Sequence, residues 1–235
     1  MVFKNLRLSI SRFMSNHRFL FLLSFMLMLI AFQPFAKALS GFKVILSIIL
    51  SVTLISSIYS ISQKKYNTVF SIFVALPLLV SFWVPFFYQS RWVDLLGDVC
   101  GVIFFAFIVV AILRHTLRQD EITGDLIAGA AVVYLIMAMM WSYAYRFIET
   151  VQPGSFSASQ SQDIEQFFYF LYYSFVTITT LGYGDIAPIT IAAKSFAILE
   201  AVIGQLYLVI MVAWLVGRHI SQSMEKKAFL KKPQD

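Results

Sequence analysis

The stretch Thr177-Ile178-Thr179-Thr180-Leu181-Gly182-Tyr183-Gly184-Asp185 decides how the rest of the chain is read. Gly182 and Gly184 admit backbone conformations that residues with a Cβ avoid. A strand-like segment alternating such conformations turns successive carbonyls to one side, and stacked carbonyl rings replace the hydration shell of a dehydrated cation. Just upstream lies a nine-residue apolar run, Phe167 to Phe175, bounded by polar sequence. It is too short to cross a bilayer, which takes about 20 apolar residues, and reads as a re-entrant helix. Asp163 is placed to cap that helix, with Gln166 three residues on able to reach back.

Working outward, six longer apolar runs are expected to span a membrane: Phe19 to Leu39, Phe42 to Ile61, Tyr66 to Tyr88, Val93 to Leu113, Asp125 to Phe147 and Ile191 to Gly217. With both termini on the cytoplasmic side, thirteen of the 18 Lys and Arg residues fall inside; Lys37, Lys43, Arg91, Arg146 and Lys194 fall outside. That asymmetry is the positive-inside pattern. One alternative stands at the N-terminus, where the basic residues up to Arg18, the run Phe19 to Ala31 and Ala36-Lys37-Ala38 also fit a cleaved signal peptide. Arg114 to Gly124 reads as a polar connector, with Asp125 as the N-cap of the fifth span. Val151 to Gln162, rich in Ser and Gln around Pro153-Gly154, reads as an exposed turret-like linker.

Composition agrees. Of 235 residues, 60% are hydrophobic and only 13% charged, against about 25% charged in a soluble domain. Too few polar residues remain to cover a water-facing surface, so a soluble domain, a disordered tail and a disulfide scaffold are all excluded. The net charge of +6 is explained by span-end basic residues, without a nucleic-acid partner. Cys100 is alone and reads as packing. His17, His115 and His219 lie at span ends, and no Ser/His or metal-ligand cluster appears, so neither an enzyme nor a cofactor is expected.

Thr177 to Asp185 resembles the potassium-channel signature, with Leu181 where the commonest form has Val. Val151-Gln152-Pro153-Gly154-Ser155-Phe156 and Leu199-Glu200-Ala201-Val202-Ile203-Gly204-Gln205-Leu206-Tyr207 are similar to a family of small bacterial ion channels. The resemblance implies a selectivity filter of Thr180, Leu181, Gly182, Tyr183 and Gly184, with K⁺ held by the carbonyls of Thr180, Leu181, Gly182 and Tyr183 and by the Thr180 hydroxyl. It also implies that Tyr172 and Tyr173 form an aromatic cuff, Tyr172 bonding Asp185 and Tyr173 bonding the Tyr183 hydroxyl; the plainer reading is two tyrosines that merely pack. Val176 stands where some members carry a glutamate, which removes a carboxyl-pair mechanism of filter inactivation.

One chain supplies one such segment without repeats, so a closed pore needs several chains, and four-fold symmetry is the natural closure. Gly204 suits either a gating hinge or close helix packing. Glu200, an acid inside an apolar span, either bonds the Thr-rich end of the re-entrant helix or sits near the ion path and titrates. Gln205 is expected to face the cavity, with Leu208 and Val212 on its stripe. The fourth span has no internal basic residue, which argues against a voltage sensor. Serines of the second span (47, 51, 56, 57, 60) are expected to bond between helices, and Pro77 and Pro85 to kink the third.

The expected molecule is an all-α membrane protein with six transmembrane helices, a re-entrant pore helix and a filter, forming a tetrameric potassium-channel pore. Its parts are a basic cytoplasmic N-terminus (1–18), a four-helix region without sensor arginines (19–113), a connector (114–124), a pore module (125–218) and a basic cytoplasmic tail (219–235). Its partners are three further copies, potassium ions and the lipid bilayer of the plasma (inner) membrane. The competing readings are a weakly selective cation channel and a K⁺ uptake subunit.

Overall fold

The computed structural model describes residues 18–32, 48, 51–58, 65–83, 91–119, 121–157 and 166–230. Its named helices are α1 (Arg18–Phe32), α2 (Lys65–Trp83), α3 (Arg91–Leu117), α4 (Gly124–Val151), α5 (Gln166–Ile178) and α6 (Ile191–Leu230). Residues 51–58, between α1 and α2, are also helical. Among the described residues three helices are long and apolar enough to cross a membrane: Arg91–Leu117, Gly124–Val151 and Ile191–Met224. They correspond to the fourth, fifth and sixth expected spans, each longer than its apolar run because polar residues continue the helix at one end or both. α1, 15 residues long, covers only the part of the first expected span up to Phe32. The rest of that span, much of the second, Pro85, the Ala36-Lys37-Ala38 cleavage motif and Asp163 lie outside the described residues. Pro77 sits within α2.

α4 is the hub. Its N-cap is Thr123, whose extended backbone brings Oγ1 within 3.2 Å of the Leu126 amide. This corrects the reading of Asp125 as the cap: Asp125 already lies inside the first turn. Its carboxylate instead accepts from the amides of Phe19 (3.0 Å) and Leu20 (3.1 Å), which opens α1 against α4. Along α1, Phe19, Leu22, Met26 and Leu29 recur at helical spacing and are buried. Gly129 admits the Phe19 ring, since a Cβ there would lie 3.1 Å from it.

α3 and α4 meet closely at Gly101, where a Cβ would stand 2.5 Å from Tyr143 Cδ1. In a membrane, helices associate by packing and interhelical polar contacts, so such small-residue approaches carry much of the adhesion. The Phe105 ring, one turn along α3, stacks on Tyr143 with centroids 5.7 Å apart. About one turn from this contact, toward the start of α3 and the end of α4, lies an ion pair between Arg146 Nε and Asp98 Oδ1. The Asp98 side chain is wholly buried and that of Arg146 is 13% exposed. Arg91 closes the same end of the pair, donating to the Thr150 carbonyl at 2.8 Å. Cys100 is a free, half-buried thiol packed against this core.

The opposite end of α3 is tied down by polar contacts. Arg18 Nη2 lies 2.6 Å from His115 Nε2, and Arg218 of α6 donates to the Gln119 carbonyl at 2.9 Å. In segment 51–58 the Ser57 hydroxyl donates to the Thr53 carbonyl of its own helix, 2.8 Å away, not across to another helix as expected. A serine in a helix has the carbonyl four residues back within reach. Ser47 and Ser60 lie outside the described residues.

Candidate ion-conduction site

α5 ends at Ile178, three residues beyond the expected apolar run, because Val176, Thr177 and Ile178 continue its turns. From there the backbone changes character. Thr180, Gly182 and Gly184 have φ of +59°, +59° and +78°, so every second residue is left-handed. At Gly182 and Gly184 a Cβ would meet nothing within 4 Å; the demand for glycine is one of backbone angle, not space. The sequence pointed to two such positions, and Thr180 is a third. A residue with a Cβ held there stores about 1–3 kcal/mol. Its amide donates to the Thr177 carbonyl at 3.0 Å, and its hydroxyl to the Thr179 carbonyl at 2.6 Å.

The next two amides also turn back onto α5. Leu181 N and Gly182 N both donate to the Val176 carbonyl, at 3.0 and 3.2 Å. Residues 179 to 185 are all exposed in the single chain, Leu181 at 54% and Tyr183 at 66%.

The strand is clamped at its exit. Tyr172 donates to Asp185 Oδ2 at 2.7 Å, as the resemblance implied. Ser157 N donates to the Ala187 carbonyl and Ala187 N to the Ser157 hydroxyl, both at 2.8 Å; Ile189 N donates to the Ser155 carbonyl, also at 2.8 Å. These contacts correct the reading of Val151 to Gln162 as an exposed linker. Residues 151–154 are exposed, but Ser155 and Phe156 are buried. Glu149 takes the Gly154 and Phe156 amides, turning the chain so that the Phe156 ring enters a cluster with Tyr145, Phe170 and Tyr173. Residues 158–162 of that loop lie outside the described residues. Tyr173 belongs to this cluster, edge-on to Tyr145 at 4.9 Å. Within one chain Tyr173 thus packs against α4 and Phe156.

Behind the strand, α6 presses on the end of α5. A Cβ at Gly204 would lie 2.5 Å from Ile178 Cγ1 and 3.1 Å from the Ile178 carbonyl oxygen. α6 runs unbroken through Gly204, which lies directly against Ile178. Tyr134 donates to the same carbonyl at 2.8 Å and stacks with Tyr207, which donates to the Ala130 carbonyl at 2.7 Å. Glu200 is wholly buried. Its partners are Ser174, in the middle of α5, and Tyr145 of α4. The expected bond to the Thr-rich end is not made, because Glu200 lies a turn before Gly204, level with the preceding turn of α5. Gln205, Leu208 and Val212 are exposed together on the side of α6 away from the rest of its chain. Sequence reasoning missed Ser155, Phe156, Tyr134 and the Asp98–Arg146 pair. Only the pair left a signal, an acid and a base each set inside an apolar run.

Residues 126–219 match the family model of an ion channel. The chain is 34% identical over 132 residues to the voltage-gated potassium channel KCNC1 of Mus musculus, covering 54% of this chain and 25% of the relative. It is 34% identical over 128 residues to the A-type voltage-gated potassium channel KCND3 of Homo sapiens, covering 52% and 18%. The chain thus spans a quarter or less of the length of these curated relatives. An ion-channel module with transmembrane helices fits the long apolar helices α3, α4 and α6; α5 and the strand that follows it lie within the matched residues.

Proposed function

We propose that the chain is one subunit of a homotetrameric, K⁺-selective channel that conducts passively and makes or breaks no bond. The observation that carries this is the left-handed backbone at every second residue from Thr180 to Gly184, with the amides of Leu181 and Gly182 tied to Val176. With the Leu181 and Gly182 amides tied to α5, the strand's carbonyls would be free to line a pore. Four such strands around an axis would stack the carbonyls of Thr180, Leu181, Gly182 and Tyr183, and the Thr180 hydroxyl, as K⁺ sites. The exposed strand and the exposed side of α6 with Gln205 and Leu208 are the surfaces that three further copies and the ion path would meet. The C-terminal, partly negative end of α5 favours a cation beside it.

The finer architecture belongs to the same reading: six spans in a plasma (inner) membrane of bacterial type, both termini cytoplasmic, with the filter near the outer face. Residues 19–113 would scaffold a pore module of residues 125–218. Although the relatives are named voltage-gated, α3 carries no basic residue between Arg91 and Arg114 and is joined to α4 by a buried ion pair, so we read the channel as not gated by voltage. The test is tracer uptake into vesicles containing the purified protein, loaded with KCl and diluted into NaCl. Selective accumulation of rubidium, a stand-in for K⁺, is expected. Equal accumulation of a sodium tracer would replace this reading with a weakly selective cation channel.

A further inference from the structure

Glu200, Ser174, Tyr145 and the Ala138 carbonyl form a closed polar group between α6, α5 and α4. Glu200 Oε1 lies 2.5 Å from Ser174 Oγ, Ser174 Oγ lies 2.7 Å from the Ala138 carbonyl oxygen, and Tyr145 Oη contacts Glu200 Oε2. Glu200 and Ser174 are wholly buried, and Glu200 makes no ion pair among the described residues.

Three hydrogen bonds need three protons. Ala138 offers a carbonyl and can only accept, so the Ser174 proton is spent on that bond. The Tyr145 proton serves Oε2. The contact between Ser174 Oγ and Oε1 then has no proton unless the carboxyl brings one. An ionised Glu200 would leave one of these buried contacts empty and place an uncompensated charge at membrane depth, both costly. We infer that Glu200 is a protonated carboxylic acid, donating from Oε1 to Ser174 and accepting at Oε2 from Tyr145.

The group is then a neutral relay, Tyr145 to Glu200 to Ser174 to Ala138, joining three helices through one side chain. Ser174 lies two residues before Val176, whose carbonyl holds the Leu181 and Gly182 amides. Glu200 is one turn before Gly204, which rests on Ile178. The acid is therefore a positioning residue: it sets α5 against α4 and α6, and through α5 the strand 180–184. This positioning role rests on the proposed filter; the protonation does not.

Infrared difference spectra of the membrane-embedded protein test the protonation directly. A protonated-acid C=O band is expected in the wild type, lost in Glu200→Gln and shifted to higher frequency in Tyr145→Phe, which removes the donor to that carbonyl. Loss of carboxylate bands instead of an acid band in Glu200→Gln would overturn the inference. Reversal potentials test the positioning. Gln keeps a donor and an acceptor, so Glu200→Gln should retain the wild-type K⁺/Na⁺ permeability ratio, while Glu200→Ala should lower it about tenfold, the scale of one hydrogen bond. A Gln variant as unselective as the Ala variant would refute the neutral relay. A wild type without K⁺ selectivity would remove the channel reading and leave the infrared result standing by itself.

Discussion

Removing Asp98 should be one of the most damaging single changes in the membrane helices. Its carboxylate is wholly buried against Arg146, whose side chain is 13% exposed and whose guanidinium sits 5.4 Å from the centre of the Tyr143 ring. Asp98→Ala leaves that guanidinium mostly buried with no counter-charge, and breaking a buried pair from one side costs about 3–5 kcal/mol. At about 2–4 °C per kcal/mol for a chain of this size, the thermal midpoint should fall by roughly 6–20 °C. Removing both partners should cost less than the two single changes combined. Asp98 Oδ2 has no hydrogen-bond partner among the described residues, so within them the pair is incompletely satisfied to begin with. The double-mutant cycle Asp98→Ala, Arg146→Ala, measured by thermal unfolding in detergent, should give a coupling of about 0.5–3 kcal/mol. Additive costs, with no coupling beyond measurement error, would refute the claim that the pair joins α3 to α4.

Other changes have equally definite outcomes. Gly204→Ala puts a Cβ 2.5 Å from Ile178; overpacking of about 1–3 kcal/mol should exceed the helix-propensity gain of about 1 kcal/mol, and Ile178→Ala in the same chain should recover part of the lost thermal midpoint. Asp125→Ala removes the acceptor of the Phe19 and Leu20 amides, so hydrogen exchange should accelerate there by a factor matching about 0.5–2 kcal/mol, with α6 unchanged. Tyr172→Phe removes the bond to Asp185 and should hasten the decay of current during sustained opening, while leaving the elution volume in size-exclusion chromatography unchanged.

The strand that defines the site was legible because its chemistry is local: Gly182 and Gly184 announce their backbone within five residues, and the short apolar run before them fits only a helix that enters without crossing. The long apolar runs that became α3, α4 and α6 were legible for the same reason, since 20 residues of one character need no partner to be recognised. What stayed hidden was set by partners far along the chain. Arg146 read as a marker of sidedness because its partner Asp98 lies 48 residues away. Phe156 read as loop because only Glu149 and the aromatic cluster turn it inward. Glu200 was visible as an anomaly, yet its partners Ser174 and Tyr145 come from two other helices. Asp125 and Thr123 are both good capping residues, and the backbone at Thr123 chose between them.

The reversal potential of the purified protein in planar bilayers decides whether residues 180–184 form a K⁺-selective filter. Under a K⁺ gradient opposed by Na⁺, the wild type should reverse near the K⁺ equilibrium potential. Gly182→Ala, forced into a left-handed conformation that costs a residue with a Cβ about 1–2 kcal/mol in each subunit, should lose that selectivity. Robust wild-type current reversing near zero would rule out a K⁺-selective filter at residues 180–184.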